Sequence, residues 1–269
     1  MFDLKSYLKR IGVAKTGNAD TATLAIVQFA HRTSIPFENV DVRLGRPVRI
    51  DGDGVFDRLV TGGRGGYCFQ QNRLFLDALV SLGFDVRPLL ARVWLGATET
   101  PPLTHSLLLV DFEGARWIAD AGFGGSFAPP MPLVDGARTE DWDGAYFRLT
   151  RQPDDWRLDR VVPGGNGAAE EAEVQTQYSF DLRQVFPADL ELANHWTSTA
   201  PGSIFWDRQF VNIVRPDGFA SMLDRHYTER SGGGKHEEVI ADAGSYRARL
   251  RDVFGLDLDA CEVDALNLF

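Results

Sequence analysis

The sequence predicts an α+β protein, in which a helical N-terminal part precedes a run of strands and a mixed C-terminal part. In residues 1–83, apolar side chains recur every three to four positions, which is the period of an amphipathic helix. From Phe84 onward the period changes to two, as in strands. Helices and strands do not alternate regularly along the chain, so a doubly wound parallel sheet is not expected.

Two helices are predicted in the N-terminal part. Asp20 can cap the first, because its carboxylate can accept from the free N–H groups of the first turn. The second begins near Cys68 and ends before Gly83, a residue type that favours the left-handed backbone found after a helix. The proline- and glycine-rich segment between the helices, residues 36–54, is predicted to form a loop with short turns.

The rest of the chain is predicted to form mainly strands and hairpins. Glu113-Gly114 and Pro216-Asp217-Gly218 have the composition of tight turns. The glycine-rich residues 164–167 are predicted to form a loop, and the three glutamates of residues 170–173 a solvated loop or sheet edge. The predicted strands are residues 86–95, 105–112, 115–119, 147–150, 156–161, 210–214 and 219–223, and the further helices are residues 190–194 and 243–254.

Composition and charge exclude several classes of function. The 269 residues carry a net charge of −10 and no block of Lys or Arg, which argues against a nucleic-acid partner because phosphates need a basic face. No apolar stretch reaches the length of about 18 residues that a membrane span needs, and the charged N-terminus does not resemble a signal peptide. A cytoplasmic location is therefore predicted.

No metal site or bound prosthetic group is predicted. The five histidines are scattered, and the two cysteines do not form a C-x-x-C motif or a similar ligand spacing. Two cysteines are also too few for a disulfide scaffold. The chemistry is therefore expected to come from side chains alone.

Cys68 is the candidate nucleophile. Residues 61–66 contain four glycines, which allow a close backbone approach or a positive φ, and Cys68 then opens the second predicted helix. The unpaired N–H groups and the dipole at a helix start favour the thiolate, which is the nucleophilic form of cysteine. The alternative is a small buried residue below a glycine turn, and Cys261, without these features, is assigned that structural role.

His105 and Asp120 are the candidate base and its orienting residue. If Glu113-Gly114 is a two-residue turn, the numbers of opposed residues add up to 227, so that His105 and Asp120 lie diagonally on one face of the hairpin. A register slip of one residue would place them on opposite faces. Taken singly, His105 could be an ordinary strand histidine and Asp120 a turn residue.

These residues lie in segments that resemble the arylamine N-acetyltransferases. The resemblance covers nearly the whole chain, and its motifs follow in the family's order. They are Pro36-Phe-Glu-Asn-Val-Asp41, Arg64-Gly-Gly-Tyr-Cys68 with Asn72, Thr104-His105-Ser-Leu-Leu, Asp120-Ala-Gly-Phe-Gly124, and residues 197–205 followed by Pro216-Asp-Gly218.

The resemblance implies an architecture and an activity. Residues 1–83 would form a helical bundle that carries Cys68, residues 84–188 a central antiparallel β-barrel that carries His105 and Asp120, and residues 189–269 an α/β lid. Cys68 would accept an acetyl group from acetyl-CoA and pass it to an aromatic amine, hydroxylamine or hydrazine. Coenzyme A and small amines would be the partners, and the sequence gives no indication of the oligomeric state.

The resemblance also assigns residues around the nucleophile. Glu38 and Arg64 would form a buried structural ion pair near the active site. Some relatives carry a larger or charged residue where Gly125 stands, so the preferred acceptor is not transferred. The residues that would line the acceptor pocket are Phe37, Tyr67, Phe123, Gly125 and Phe205.

Three other functions are compatible with parts of the pattern. A thiol–imidazole–carboxylate set does not by itself distinguish water from an amine as acceptor, so a transglutaminase-like or other cysteine hydrolase is one alternative. An amide synthase of the same fold, which releases a polyketide chain, is the second. A binding module without catalysis is the third. No Walker-type loop is present, and the sequence assigns no residues to the CoA phosphates.

Overall fold

The computed structural model describes residues 2–164, 172–232 and 234–269. The N-terminal part is helical, and the caps of its two long helices explain where they begin and end. The side chain of Asp20 accepts a hydrogen bond from the Thr23 N–H at 2.8 Å, and Gly83 takes a φ of +91° after the second. The elements are α1 (Leu4–Arg10), α2 (Thr21–Ser34), β1 (Phe37–Glu38), α3 (Val40–Arg43), α4 (Gly52–Phe56), a π-helical turn (Asp57–Thr61) and α5 (Cys68–Ser81).

The central part is one antiparallel sheet of eight strands in the order β5-β4-β3-β2-β9-β8-β7-β6. The strands at its two edges, β5 and β6, follow each other in the chain, and the sheet curls into a nearly closed barrel. The strands are β2 (Asp85–Val93), β3 (Leu103–Phe112), β4 (Ala115–Ala119), β5 (Met131–Pro132), β6 (Arg138–Glu140), β7 (Tyr146–Arg151), β8 (Trp156–Val162) and β9 (Glu173–Phe180).

In its described residues, the C-terminal part combines a five-stranded sheet with four helices. The sheet has the order β1-β10-β11-β12-β13, so that its first strand comes from the N-terminal part. Phe37 of β1 lies opposite Asn212 of β10. The elements are α6 (Pro187–Thr199), α7 (Ile204–Asp207), β10 (Phe210–Arg215), β11 (Gly218–Leu223), β12 (His226–Ser231), β13 (Gly234–Val239), α8 (Ala243–Phe254) and α9 (Ala260–Ala265).

The β3–β4 hairpin connects two hydrophobic cores. Leu108 and Val110 of β3 pack with α2 and α5 in the N-terminal core, whereas Leu107 and Leu109 point into the barrel. The alternation of side chains along a strand produces this division. The hairpin is therefore held on both faces, and the end of β3 that carries His105 lies next to the start of α5.

The predicted hairpin register is confirmed. Phe112 pairs with Ala115 and Leu108 with Ala119, so opposed residues add up to 227. Glu113 and Gly114 have φ values of +53° and +75°, as a two-residue turn with both central residues left-handed requires.

Some predicted loops are ordered elements instead. Residues 36–54 contain β1, α3 and the start of α4. Strand β1 pairs with β10 of the C-terminal part, whereas α4 packs against α5. Strands β5, β6, β9, β12 and β13 were also missed. Strands β5 and β6 are only two and three residues long, and β13 consists mainly of exposed polar side chains that give no apolar alternation. Glu173 is the exposed first residue of β9. The predictions for residues 165–171 lie outside the described residues.

None of the described helices is both long enough and apolar enough to cross a lipid bilayer.

Candidate active site

Cys68 lies at the first position of α5, as the sequence predicted, and its side chain is buried. Tyr67 before it has an extended backbone and provides no side-chain cap, and its carbonyl oxygen accepts from the N–H groups of Gln70 and Gln71. The Sγ atom lies 3.7 Å from the carbonyl oxygen of Thr104 on β3. The helix start and the end of β3 therefore meet at the thiol.

The turn before Cys68 requires glycines, because its backbone lies very close to neighbouring atoms. A Cβ atom at Gly65 would lie 2.3 Å from the Pro36 carbonyl oxygen, and one at Gly66 would lie 2.6 Å from Gln70 Oε1. Gly63 in addition has a φ of +65°. The turn thus lies directly on the segment around Pro36, which leads into β1.

His105 and Asp120 are joined by a hydrogen bond of 2.7 Å between Nε2 and Oδ2. Burial lowers the pKa of His105, but the Asp120 carboxylate and the Cys68 thiol raise that pKa to about 10. Burial raises the pKa of Asp120, yet His105, Asn72 and the Gly122 N–H lower it below its usual value. The pair is therefore an imidazolium and a carboxylate at neutral pH, with Nδ1 of the ring left for Cys68.

Asn72 links this pair to the helix that carries Cys68. Its Nδ2 donates to Asp120 Oδ1 at 3.0 Å and to the Ser106 carbonyl oxygen, and its Oδ1 accepts from the Ala121 N–H at 3.0 Å. Asn72 follows Cys68 by four residues, so both lie on one face of α5. This bridging role was missed from sequence, although the spacing was there to indicate it.

The loop after Asp120 approaches the same helix closely. A Cβ atom at Gly122 would lie 2.5 Å from Asn72 Nδ2 and 2.8 Å from Cys68 Cα, so only glycine fits there. Gly122 also donates its N–H to Asp120 Oδ1 at 2.8 Å. This hydrogen bond and the one from Asn72 fix the carboxylate in the plane that faces His105.

Three of the predicted pocket residues form one aromatic cluster. The Phe205 ring lies 5.8 Å from both the Phe37 and the Tyr67 ring centroids, and Phe210 adds a fourth ring at 5.3 Å from Phe205. The hydroxyl of Tyr67 donates to Asn194 Oδ1 on α6. Tyr67 therefore contributes its ring to the cluster, and its hydroxyl supports the lid helix.

Phe123 and Gly125, the other two predicted pocket residues, lie near His105. The Phe123 ring packs edge-on against His105 with centroids 5.1 Å apart, and Tyr178 packs against both. A Cβ atom at Gly125 would lie 2.6 Å from Leu95 Cδ1 and 2.9 Å from Phe123 Cε1. A side chain at position 125 would therefore displace this wall.

Glu38 has a stronger partner than the predicted Arg64. Its Oε1 lies 2.7 Å from Arg58 Nη2 and 3.6 Å from Arg64 Nη2, and its Oε2 accepts from the Val40 N–H at 2.7 Å. Arg58 also binds Asp41. Arg58 was missed, because nothing in the local sequence indicates that the π-helical turn faces β1.

Several cavities border the active-site region. One of about 270 Å³ is lined by Gly124, Gly125 and Phe210, and one of about 510 Å³ by Thr104 and Trp196, among others. Nowhere in residues 2–164, 172–232 and 234–269 do three His, Cys, Asp or Glu side chains cluster so that they could hold a metal ion.

The comparisons with known proteins agree with this geometry. A family model described as N-acetyltransferase matches residues 20–263. The arylamine N-acetyltransferase of Escherichia coli is 36% identical over 260 residues, which cover 95% of this chain and 89% of the relative. The chain belongs to the arylamine N-acetyltransferase family. The predicted family and the predicted class, an acyltransferase enzyme, are thereby confirmed.

Solved structures of the arylamine N-acetyltransferase family share the fold. The enzyme from Salmonella typhimurium superposes with a TM-score of 0.90 at 31% identity and covers 99% of this chain and 98% of its own. The Mycobacterium marinum enzyme in complex with CoA superposes with a TM-score of 0.89 at 29% identity, and 98% of each chain is covered. The predicted combination of helices, a barrel and a lid is confirmed.

Proposed function

We propose that the protein transfers an acetyl group from acetyl-CoA to an aromatic amine, hydroxylamine or hydrazine through an acetyl-Cys68 intermediate. The observation that carries the proposal is the buried thiol at an uncapped helix start, next to a His105 ring bound to Asp120 at 2.7 Å. The relatives named as arylamine N-acetyltransferases support the acceptor class, and the Mycobacterium marinum complex with CoA supports the donor.

The first half-reaction acetylates Cys68. The imidazolium form of His105 stabilises the thiolate, which attacks the thioester carbonyl carbon of acetyl-CoA. As the bond between that carbon and the CoA sulfur breaks, His105 donates its proton to the leaving sulfur. We expect the N–H groups at the start of α5 to stabilise the developing oxyanion, because the start of a helix stabilises negative charge.

The second half-reaction transfers the acetyl group. The amine nitrogen attacks the acetyl carbon, the bond to Cys68 Sγ breaks, and the now neutral His105 accepts the proton that the amine loses. Asp120 holds the ring and stabilises its charge when the imidazolium returns. The thiolate–imidazolium pair is thereby restored.

The aromatic walls suit a flat acceptor and limit water. Phe37, Phe123 and Phe205 are assigned as acceptor-binding residues, with Tyr67 and Gly125 shaping the same space. An apolar surround slows hydrolysis of the acetyl-enzyme, because water finds few hydrogen-bond partners beside the thioester.

The same proposal assigns a role to each region of the chain and a cellular location to the protein. Residues 1–83 supply the nucleophile, residues 84–188 the base and its carboxylate, and residues 189–269 the lid. Three of the hydrophobic clusters are centred on the helices, the barrel and the C-terminal part, respectively, which supports this division. We assign the protein to the cytoplasm, where acetyl-CoA is available and both free cysteines stay reduced.

Mass spectrometry of the intact protein after mixing with acetyl-CoA tests the proposal. One acetyl group on Cys68 is expected, and an aromatic amine should remove it as the acetylated amine. Cys68→Ala should remain unmodified, and Cys261→Ala, the matched control, should be acetylated like the wild type. Release of free acetate without amine would indicate a hydrolase, and the absence of an adduct would refute the intermediate.

A further inference from the structure

Arg32 on α2 is completely buried, although its guanidinium group is only partly satisfied. Its Nη2 atom donates to the Phe123 carbonyl oxygen at 3.1 Å and to Asn212 Oδ1 at 3.3 Å. Its Nε and Nη1 atoms have no hydrogen-bond partner within the described parts of the chain. The side chain thus connects α2, the segment after Asp120 and strand β10.

Such a cation disfavours folding more than an apolar side chain of similar size. Burial lowers the pKa of Arg32 to about 10, an effect that the Asp120 carboxylate opposes, so the group stays charged at neutral pH. Buried charges without a full set of partners are a cost in stability, and sites that keep them commonly serve function. We therefore expect that Arg32 holds a functional segment in place.

Arg32 is part of a clamp on residues 120–128, which we call the acceptor loop. Gln28, one helical turn before Arg32, accepts from the Asp120 N–H at 3.2 Å and donates to the Ala128 carbonyl oxygen at 2.8 Å. Asn212 donates to the Gly124 carbonyl oxygen at 2.9 Å. The loop is therefore held by side chains at both ends and in its middle, where Arg32 and Asn212 act.

The middle of the acceptor loop forms part of the proposed amine pocket. The Phe123 ring packs against His105, and a Cβ atom at Gly124 would lie 2.8 Å from the Phe37 ring. The position of this backbone therefore sets the space between Phe37 and Phe123. Cys68, in contrast, is bound to α5 and β3 by contacts that do not involve Arg32.

We propose that Arg32 is the positioning residue of the acceptor loop, which holds Phe123 and Gly124 against Phe37 and so controls productive binding of the amine but not acetylation of Cys68. This inference rests on the proposed function. It assigns the two half-reactions to different supports: Asn72, Gln28 and the hairpin hold the nucleophile, its base and Asp120, and Arg32 with Asn212 holds the acceptor wall.

Separate measurement of the half-reactions tests the inference. Acetylation of Cys68 by acetyl-CoA is followed by quenched-flow mass spectrometry, and deacetylation of the preformed acetyl-enzyme is followed against the concentration of 4-methoxyaniline. In Arg32→Met, acetylation should stay within about threefold of wild type, whereas kcat/KM for the amine should fall at least about tenfold through KM. Arg32→Lys keeps the charge with a single donor group and should restore part of this loss.

Matched variants keep the outcome decisive. Asn212→Ala removes the second support of the acceptor loop and should show the same selective loss of amine binding. If Arg32→Met does not fold, Asn212→Ala and Arg32→Lys together test the inference. Arg87→Met removes an arginine that also donates to two backbone carbonyls, of Leu182 and Arg183, and should leave the amine KM unchanged.

Equal losses in both half-reactions, or an unchanged amine KM in the Arg32 and Asn212 variants, would overturn the inference. Absence of acetyl-Cys68 in the wild type would instead refute the proposed function, so the two failures are distinguishable.

Discussion

Two buried histidines of this protein have opposite electrostatic environments. His105 lies beside the Asp120 carboxylate and the Cys68 thiol, which raise its pKa to about 10 in spite of burial. His31 binds the Tyr7 hydroxyl at 2.9 Å and Gln71 Oε1 at 2.6 Å, and burial lowers its pKa to about 3. Both rings are almost inaccessible to solvent. The charge of the partner, and not the degree of burial, therefore decides which histidine is charged.

The comparison distinguishes the residues of the candidate active site from the buried residues that support them. Gln71, which binds His31, also donates to the carbonyl oxygens of Pro36 and Gly66 at 2.8 and 3.1 Å. The neutral His31 thus belongs to a hydrogen-bond network below the glycine turn. His105 belongs to a charged set with Asp120, next to Cys68.

The largest expected effect comes from removing the thiol next to His105. Cys68→Ala should abolish acetyl transfer while the protein remains folded, because no other side chain near His105 can act as the nucleophile. Steady-state rates with acetyl-CoA and an aromatic amine measure this. Cys261→Ala should behave as wild type, since Cys261 is exposed on α9. Labelling by iodoacetamide mainly at Cys261, with activity lost in parallel, would contradict the assignment.

The next largest effect is expected when His105 loses its charged partner. Asp120→Asn should lower kcat at least about 10²-fold, toward the 10⁴-fold known for a serine triad, because the amide supplies no charge for the imidazolium. The pKa of His105 should then fall, since burial remains and the carboxylate is gone. A variant with near-normal turnover would show that Asp120 is only a turn residue.

The ion pairs around Glu38 allow a second comparison, between a near and a more distant cation of the same buried carboxylate. Arg58→Ala should lower the free energy of unfolding by about 3–5 kcal/mol, because it leaves the buried Glu38 carboxylate without its nearest cation. Arg64→Ala should cost less, since its Nη2 atom lies 3.6 Å from that carboxylate. Urea denaturation measures both. A larger effect from Arg64→Ala would show that the nearest cation is not the main partner of Glu38.

The two histidines should also affect stability in opposite pH ranges. The pKa of His31 in the folded protein lies below its unfolded value of 6.5, so its contribution is complete above that value and is lost as pH falls toward about 3. The pKa of His105 lies above 6.5, so its contribution is complete below that value and is lost as pH rises through about 10.

His31→Gln should therefore reduce the acid sensitivity of the fold. Between about pH 7.5 and pH 5, the loss of unfolding free energy should be smaller than in wild type by about 2 kcal/mol, because the unfolded chain no longer gains that proton. Urea denaturation at the two pH values measures the difference. The exposed His236→Gln is the matched control, which removes a histidine outside the buried network. Equal acid sensitivity in wild type and His31→Gln would show that His31 is not the group responsible.

The sequence predicted the hairpin in detail because a two-residue turn fixes the register by itself. Glu113 and Gly114 determine which residues face each other, and the diagonal placement of His105 and Asp120 follows. The helix start at Cys68 was likewise predicted from the glycines beside it. Local chemistry was sufficient for these features.

Contacts between distant segments could not be predicted in the same way. Glu38 meets Arg58 where both residues contact the glycine turn, at Gly66 and Gly65, and Arg32 reaches Asn212 across 180 residues of sequence. No period or motif encodes such pairings. Asn72 is the exception, because its spacing from Cys68 on one helical face was visible in the sequence.

An NMR titration of the histidine rings in the wild-type protein tests the central claim most directly. The claim is that His105 is held as an imidazolium by Asp120 and Cys68, whereas His31 is neutral. The His105 signals, assigned through Asp120→Asn, should report a protonated ring well above pH 6.5, with a midpoint near the pKa of about 10. The His31 signals, assigned through His31→Gln, should report a neutral ring throughout the range in which the protein is folded. Midpoints close to 6.5 for both rings would contradict the account.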